Sequence, residues 1–241
     1  ERSNFELPGV GTGIVETVDK KTLLVFTEET TTAFQSGIID RTQWALTADF
    51  QKIVFPDIGC TSGLSVVNQY GGTFWHSQRG WVSLDAAFFS ERSSRMLTID
   101  SKMMRSRRNL SPRLDGICAI AFENYLLCSM PSGDLSNSHT WAMDQMPVQG
   151  QDQAVWSGVW TGIRPVQWAK TRINGRERLY AFCIGKRQKN GHLIHVWEAF
   201  QADRKDQGGS IVSQMETGAM AFPEKMKFRY AELDLVEILG D

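Results

Sequence analysis

The sequence predicts an all-β fold, and three observations carry the prediction. Short apolar and aromatic runs recur along most of the 241 residues. Most are bounded by Gly, Pro, Asn, Asp or Ser, the residues that favour turns. Only Ser93 to Arg108 could form a helix, and its apolar spacing fits one poorly.

The elements follow in order. Thr22 to Thr27 is a β-branched and aromatic run after the turn-like Asp19-Lys20-Lys21. Lys52 to Phe55 stops at Pro56, which lacks the N–H a ladder needs. Leu64 to Val67 leads to Gly71-Gly72, and Thr73 to His76 leaves that turn. Trp81 to Leu84 follows Arg79-Gly80, and Ile117 to Phe122 and Tyr125 to Met130 form the next apolar pair. Thr140 to Met143, Arg178 to Cys183 and Leu193 to Phe200 complete the set. Asn190-Gly191 marks a tight hairpin, because type I′ turns need positive φ at both central residues.

These units repeat. Hairpin-like segments centre on Leu24, Phe74, Leu126 and Leu179. Their step of roughly 50 residues suits blades of four antiparallel strands. His139-Thr140-Trp141 and His195-Val196-Trp197 repeat a His-x-Trp pattern, each after a polar, glycine-containing turn. The expected architecture is therefore propeller-like: small sheets in a radial stack, each covering its neighbour. A β-sandwich with regular strand spacing is the alternative. The whole of residues 1–241 reads as one such domain, part of a longer chain or assembly.

Charge names no partner, since 26 basic and 27 acidic residues leave a net charge of −1. That balance argues against a general nucleic-acid binder, which carries a basic excess or stripe. Cys60, Cys118, Cys128 and Cys183 are far apart and form no C-x-x-C pair, so they read as small buried side chains rather than zinc ligands. No apolar run is long enough for a membrane-spanning helix, and no signal peptide is evident.

Candidate sites are few. Lys102, Arg105, Arg107 and Arg108 form a local basic cluster that could meet DNA phosphates or an acidic protein surface. The bland reading is a solvated loop between blades. Trp156 and Trp160 stand four apart in a glycine-rich segment. Exposed indoles stack on sugar rings, yet large aromatics also fill the space between sheets. His192 and His195 are three apart, which on a strand sends them to opposite faces and away from a shared metal. No metal or cofactor is expected. Asp85, Asp144 and Glu198 are carboxylates in strand context, and nothing in the sequence pairs them across a cleft. Ser62-Gly63 and Ser132-Gly133 lack the G-x-S-x-G elbow. Gly11-Thr12-Gly13 precedes a strand rather than a helix, so it is no phosphate loop. No residue is assigned as catalytic. Phe228 to Leu239 alternates with one largely aliphatic face, as an edge strand for a neighbour would.

Three segments carry a resemblance. Leu23 to Gly37 resembles the opening blade of propeller-type tail and neck proteins of tailed bacteriophages. Gly59 to Asn68, with Gly72-Thr-Phe-Trp75 and Gly80-Trp-Val-Ser83, looks like their next blade. Tyr125 to Met130, with Asn137 and Trp141 downstream, resembles the one after. The family is similar to tail-tube nozzle proteins, which ring the DNA exit channel and carry propellers on the outside. The resemblance implies a virion structural protein in the phage tail. Its partners would be other tail or neck proteins, in a homo-oligomeric ring close to the DNA backbone. It implies no catalytic residue. The chain is shorter than a whole member, and no segment matches the tube-forming platform. The alternative is a glycan-binding or glycan-cleaving propeller used on the host surface.

Overall fold

The computed structural model describes residues 7–18, 20, 22–35, 51–69, 72–85, 96–99, 104–105, 109–111, 113–144, 155–188, 191–200, 205–206 and 209–210. The chain divides into two compact units, Glu1–Ala202 and Asp203–Asp241. The fold is all-β.

The first unit holds four small antiparallel sheets in chain order. Sheet 1 comprises β1 (Gly11–Glu16), β2 (Thr22–Thr27), β3 (Thr31–Gln35) and β4 (Gln51–Phe55). Sheet 2 comprises β5 (Val67–Gln69), β6 (Gly72–Ser77), β7 (Gly80–Asp85) and β8 (Met96–Thr98). Sheet 3 comprises β9 (Cys118–Phe122), β10 (Tyr125–Met130), β11 (His139–Asp144) and β12 (Val155–Trp160). Sheet 4 comprises β13 (Pro165–Ile173), β14 (Arg176–Gln188) and β15 (Gly191–Ala199). In each, consecutive strands are neighbours. The second unit contains a two-stranded pair, β16 (Lys205–Asp206) with β17 (Gly209–Ser210). Phe228 to Leu239 lies outside the described residues.

Leu24, Phe74, Leu126 and Leu179 fall one to each sheet, always in its second strand. The two His-x-Trp segments fall in β11 and β15, the third strands of sheets 3 and 4.

Successive sheets pack face to face through three apolar cores. Leu24, Phe26 and Ala33 of sheet 1 meet Trp75, Val82 and Leu84 of sheet 2. Trp81 and Phe74 of sheet 2 meet Leu126, Cys128, Met130, Trp141 and Met143 of sheet 3. Cys118, Phe122, Leu127 and Ala142 of sheet 3 meet Trp168, Leu179, Ala181 and Cys183 of sheet 4. The period of two explains how one strand serves two cores. Along β10, Leu126, Cys128 and Met130 point one way and Leu127 the other. Sheets 2 and 3 are thus apolar on both faces, which is why their strands read as continuous apolar runs.

Polar bonds tie the same junctions near the first strand of each sheet. Asn68 in β5 reaches back, its Nδ2 donating to Glu16 O at 2.6 Å. Its neighbour Gln69 reaches forward, Nε2 donating to Glu123 O at 2.9 Å. Asn137 Nδ2 donates to Pro165 O at 2.8 Å and to Gly116 O at 2.7 Å, joining sheet 3 to β13. Glycine permits the close approach of β1 to the segment before β5. A Cβ on Gly63 would stand 2.5 Å from Thr12 O, and one on Gly13 would stand 3.1 Å from Gly63 Cα.

Three local expectations are corrected. Leu64 to Val67 is not one strand: Gly63–Ser65 forms a 3-10 turn, and the strand begins at Val67. The turn is fixed by the Ser65 hydroxyl, which donates to Ser62 O at 2.6 Å, a local bond that competes with strand pairing. Within Ser93 to Arg108, Met96–Thr98 is a strand completing sheet 2, while Met104 and Arg105 are helical. The hairpin at Asn190-Gly191 is offset by one residue, because Gly191 already pairs with Gln188. A tight Asn-Gly turn with both φ positive is Asn174-Gly175, at φ 52° and 80°, between β13 and β14, while Asn190 lies outside the described residues.

Candidate functional site

The basic cluster is only partly described. Lys102, Arg107 and Arg108 lie outside the described residues. Arg105 is exposed, and its neighbour Met104 is fully buried in the core between sheets 2 and 3. Burial of Met104 anchors this one described pair against the sheets and leaves Arg105 in solvent.

Trp156 and Trp160 do not form a joint surface. On a regular strand residues four apart share a face. Here the β11–β12 register shifts between Trp141 and Ala142, so that Val159 and Ser157 are their partners with Gly158 between. This bulge reverses the alternation. Trp156 packs on the core between sheets 2 and 3, and its Nε1 donates to Ile99 O at 2.7 Å. Trp160 packs on the core between sheets 3 and 4.

Trp160 belongs instead to an aromatic cluster that the sequence did not single out. The Phe200 ring stacks on Phe122 at 5.4 Å and on Tyr125 at 6.2 Å, and meets Trp160 edge-on at 5.3 Å. Phe200 is half exposed and sits at φ 58°, a conformation uncommon for a bulky residue. It follows β15 directly, and no local pattern marks it.

Two of the three carboxylates singled out, Asp144 and Glu198, are engaged in structure. Asn124 Nδ2 donates to Asp144 Oδ1 at 2.9 Å, which ties the β9–β10 turn to the end of β11. Glu198 is paired with Arg178 at 2.7 Å. The side chain of Asp85 lies outside the described residues. His195 is exposed and stacks at 6.0 Å on Trp197. Among the described residues no group of three or more His, Cys, Asp or Glu side chains could hold a metal ion. No helix among them is long and apolar enough to cross a membrane.

Two buried polar clusters brace the sheets. Thr61 Oγ1 and His76 Nδ1 are 2.8 Å apart, and His76 N donates to Ser65 Oγ at 3.1 Å. Cys60 Sγ donates to Ser62 O at 3.0 Å in the same place. This cluster locks the loop between sheets 1 and 2 against β6. In the second, Trp168 Nε1 donates to Ser129 Oγ at 2.8 Å, and Ser129 Oγ lies 2.8 Å from Thr140 Oγ1.

All four cysteines are buried thiols, none of them in a disulfide. Burial pushes the Cys60 thiol up to about 11 and the Cys118 thiol up to about 12. It raises Cys183 as well. Thiols held neutral in this way are poor nucleophiles at neutral pH.

An open cavity of about 440 Å³ lies where β1 and β5 end, lined by Val15, Glu16, Thr17, Val18, Lys20, Asn68 and Gln69. It has no aromatic wall, and the Asn68 amide is already bound to the Glu16 carbonyl.

The fold and these sites define an all-β protein of serially stacked small sheets. No protein-family model matches the chain, and a search of curated proteins finds no match.

Proposed function

We propose that the chain is an architectural, protein-binding module built as consecutive blades of a β-propeller, working in the tail or neck of a tailed-phage virion. The observation that carries the architecture is the alternation of residues between successive cores. Leu127 serves one junction and its neighbours Leu126 and Cys128 the other, as in a radial stack where each blade covers the next. A two-sheet sandwich has one interface, whereas three successive junctions join four sheets here. The phage assignment rests on the resemblance of Leu23 to Gly37, Gly59 to Ser83 and Tyr125 to Trp141 to tail and neck blades.

On this reading the module supplies contact area rather than chemistry, beside other tail proteins in a ring around the DNA exit channel. Exposed Arg105 would face phosphates or an acidic neighbour. Antibody-gold electron microscopy of particles from the producing lysate tests it. Gold at the tail or neck is the expected result. Unlabelled particles, with the protein confined to the soluble fraction, would overturn the virion assignment.

A glycan-binding reading is favoured by one observation, the half-exposed Phe200 ring beside Trp160. Sugar rings stack on such faces. Fluorescence titration with host-surface polysaccharide should then perturb Trp160, and a flat titration at millimolar sugar would remove this reading.

A further inference from the structure

Each junction in the stack joins a forward face of one sheet to a backward face of the next. Sheet 1 offers Leu24 and Phe26 forward, and sheet 2 receives them with Trp75 and Val82. Sheet 3 offers Leu127 and Phe122 forward, and sheet 4 receives them with Leu179 and Trp168. The two end sheets therefore keep one face each outside these cores, and both faces carry exposed apolar side chains.

On sheet 4 the cross-strand pairing fixes that forward face. Ile184 opposes Ile194 and Phe182 opposes Val196, all of opposite parity to the buried Leu179, Ala181 and Cys183. Ile184 is 46% exposed, Ile194 66% and Val196 53%. The charges placed on this face are Arg178 and Glu198, which are paired with each other, and the exposed Arg176 at its end. On sheet 1 the backward face carries Ile14, 63% exposed, and Leu23, 38% exposed, with half-buried Val25 opposite Ile14, Glu16 opposite Leu23 and the buried Thr32 beside Val25. A sheet face designed for water alternates to polar residues at such positions. Contiguous exposed apolar pairs mark an interaction surface.

We infer that the forward face of sheet 4 docks on the backward face of sheet 1 of a second copy of the chain, in a head-to-tail contact. The occupant follows from continuity with the three internal junctions. Every one pairs a forward face with a backward face, and sheet 1 carries the backward face outside those junctions. Such a heterologous contact repeats, closing into a ring or growing as a filament. The inference rests on the stacked-blade reading but not on the virion assignment, which the gold labelling decides separately.

The test is sedimentation velocity of the full chain over a rising concentration series, with Ile194→Lys and Ile14→Lys. Unmodified protein should gain mass with concentration. Each single variant should weaken self-association by about tenfold or more, because each destroys one side of the same contact. Mixing the two variants should restore one junction and give species capped at twice the monomer mass. Near-ultraviolet circular dichroism checks that the variants fold, and Val196→Glu with Leu23→Glu serve as second probes of the two faces. A chain that stays monomeric throughout would overturn the inference. So would loss of association in Ile194→Lys with none in Ile14→Lys, which means that sheet 4 pairs with its own copy face to face.

Discussion

The indole of Trp168, in the first strand of sheet 4, donates its Nε1 hydrogen to Ser129 Oγ of sheet 3 at 2.8 Å. Ser129 and its neighbour Thr140 are fully buried, so water does not compete for this bond. The bond fixes the register of one sheet against the next, which apolar contacts alone leave free to slide.

Replacing Ser129 with Ala leaves the buried indole without its acceptor. The cost of such a group is about 1–3 kcal/mol. The urea midpoint should fall with an unchanged slope. An unchanged midpoint would mean that the bond does not contribute to stability.

Glycine positions separate into those under steric demand and those free of it. A Cβ at Gly59 would overlap the backbone of Thr27 and Glu28, whereas one at Gly116 meets nothing within 4 Å. Gly59→Ala should destabilise by about 1–3 kcal/mol through overpacking. Gly116→Ala should stay within about 0.5 kcal/mol of the parent. Equal thermal midpoints for the two variants would contradict this.

The buried thiols give the protein an alkaline limit. Cys60 and Cys118 are raised from 9.0 to about 11 and about 12, so the folded state keeps protons that the unfolded state releases. A raised folded pKa stabilises fully below the unfolded value and loses that stability as pH climbs through the folded one. Stability should therefore decline from about pH 9 upward. A thiol reagent at pH 8 should react slowly with the native protein and fully after unfolding. Four rapid equivalents on native protein would refute the burial.

Trp156 and Trp160 should answer differently to substitution. Trp156→Phe loses the hydrogen bond to Ile99 O and should cost about 1 kcal/mol. Trp160→Phe keeps an aromatic against Phe200 and should cost less. Chemical denaturation of both variants checks the order, and a larger loss at Trp160 would show that the bulge does not divide the two indoles between cores.

Much of the fold is legible in the sequence because strand formation here is local. Thr22–Thr27 and Tyr125–Met130 are strands with the bounds their β-branched and apolar content predicts. Two strands escaped: Gly11–Glu16, whose two glycines weaken its local signal, and Thr31–Gln35, which spans only five residues. They are strands because a neighbour supplies the ladder, and propensity does not register a partner.

The sequence by itself determined the all-β class, the spacing of four sheet units and the burial of the cysteines, since all three follow from composition and short-range period. Tertiary structure alone decided where side chains converge. The extra Gly158 in β12 sends Trp156 and Trp160 to different cores, and a one-residue shift of register reverses every face beyond it. Phe200 reaches Phe122 and Trp160 only because sheets 3 and 4 stack. Such meetings depend on contacts distant in the chain, and no short window of residues contains them.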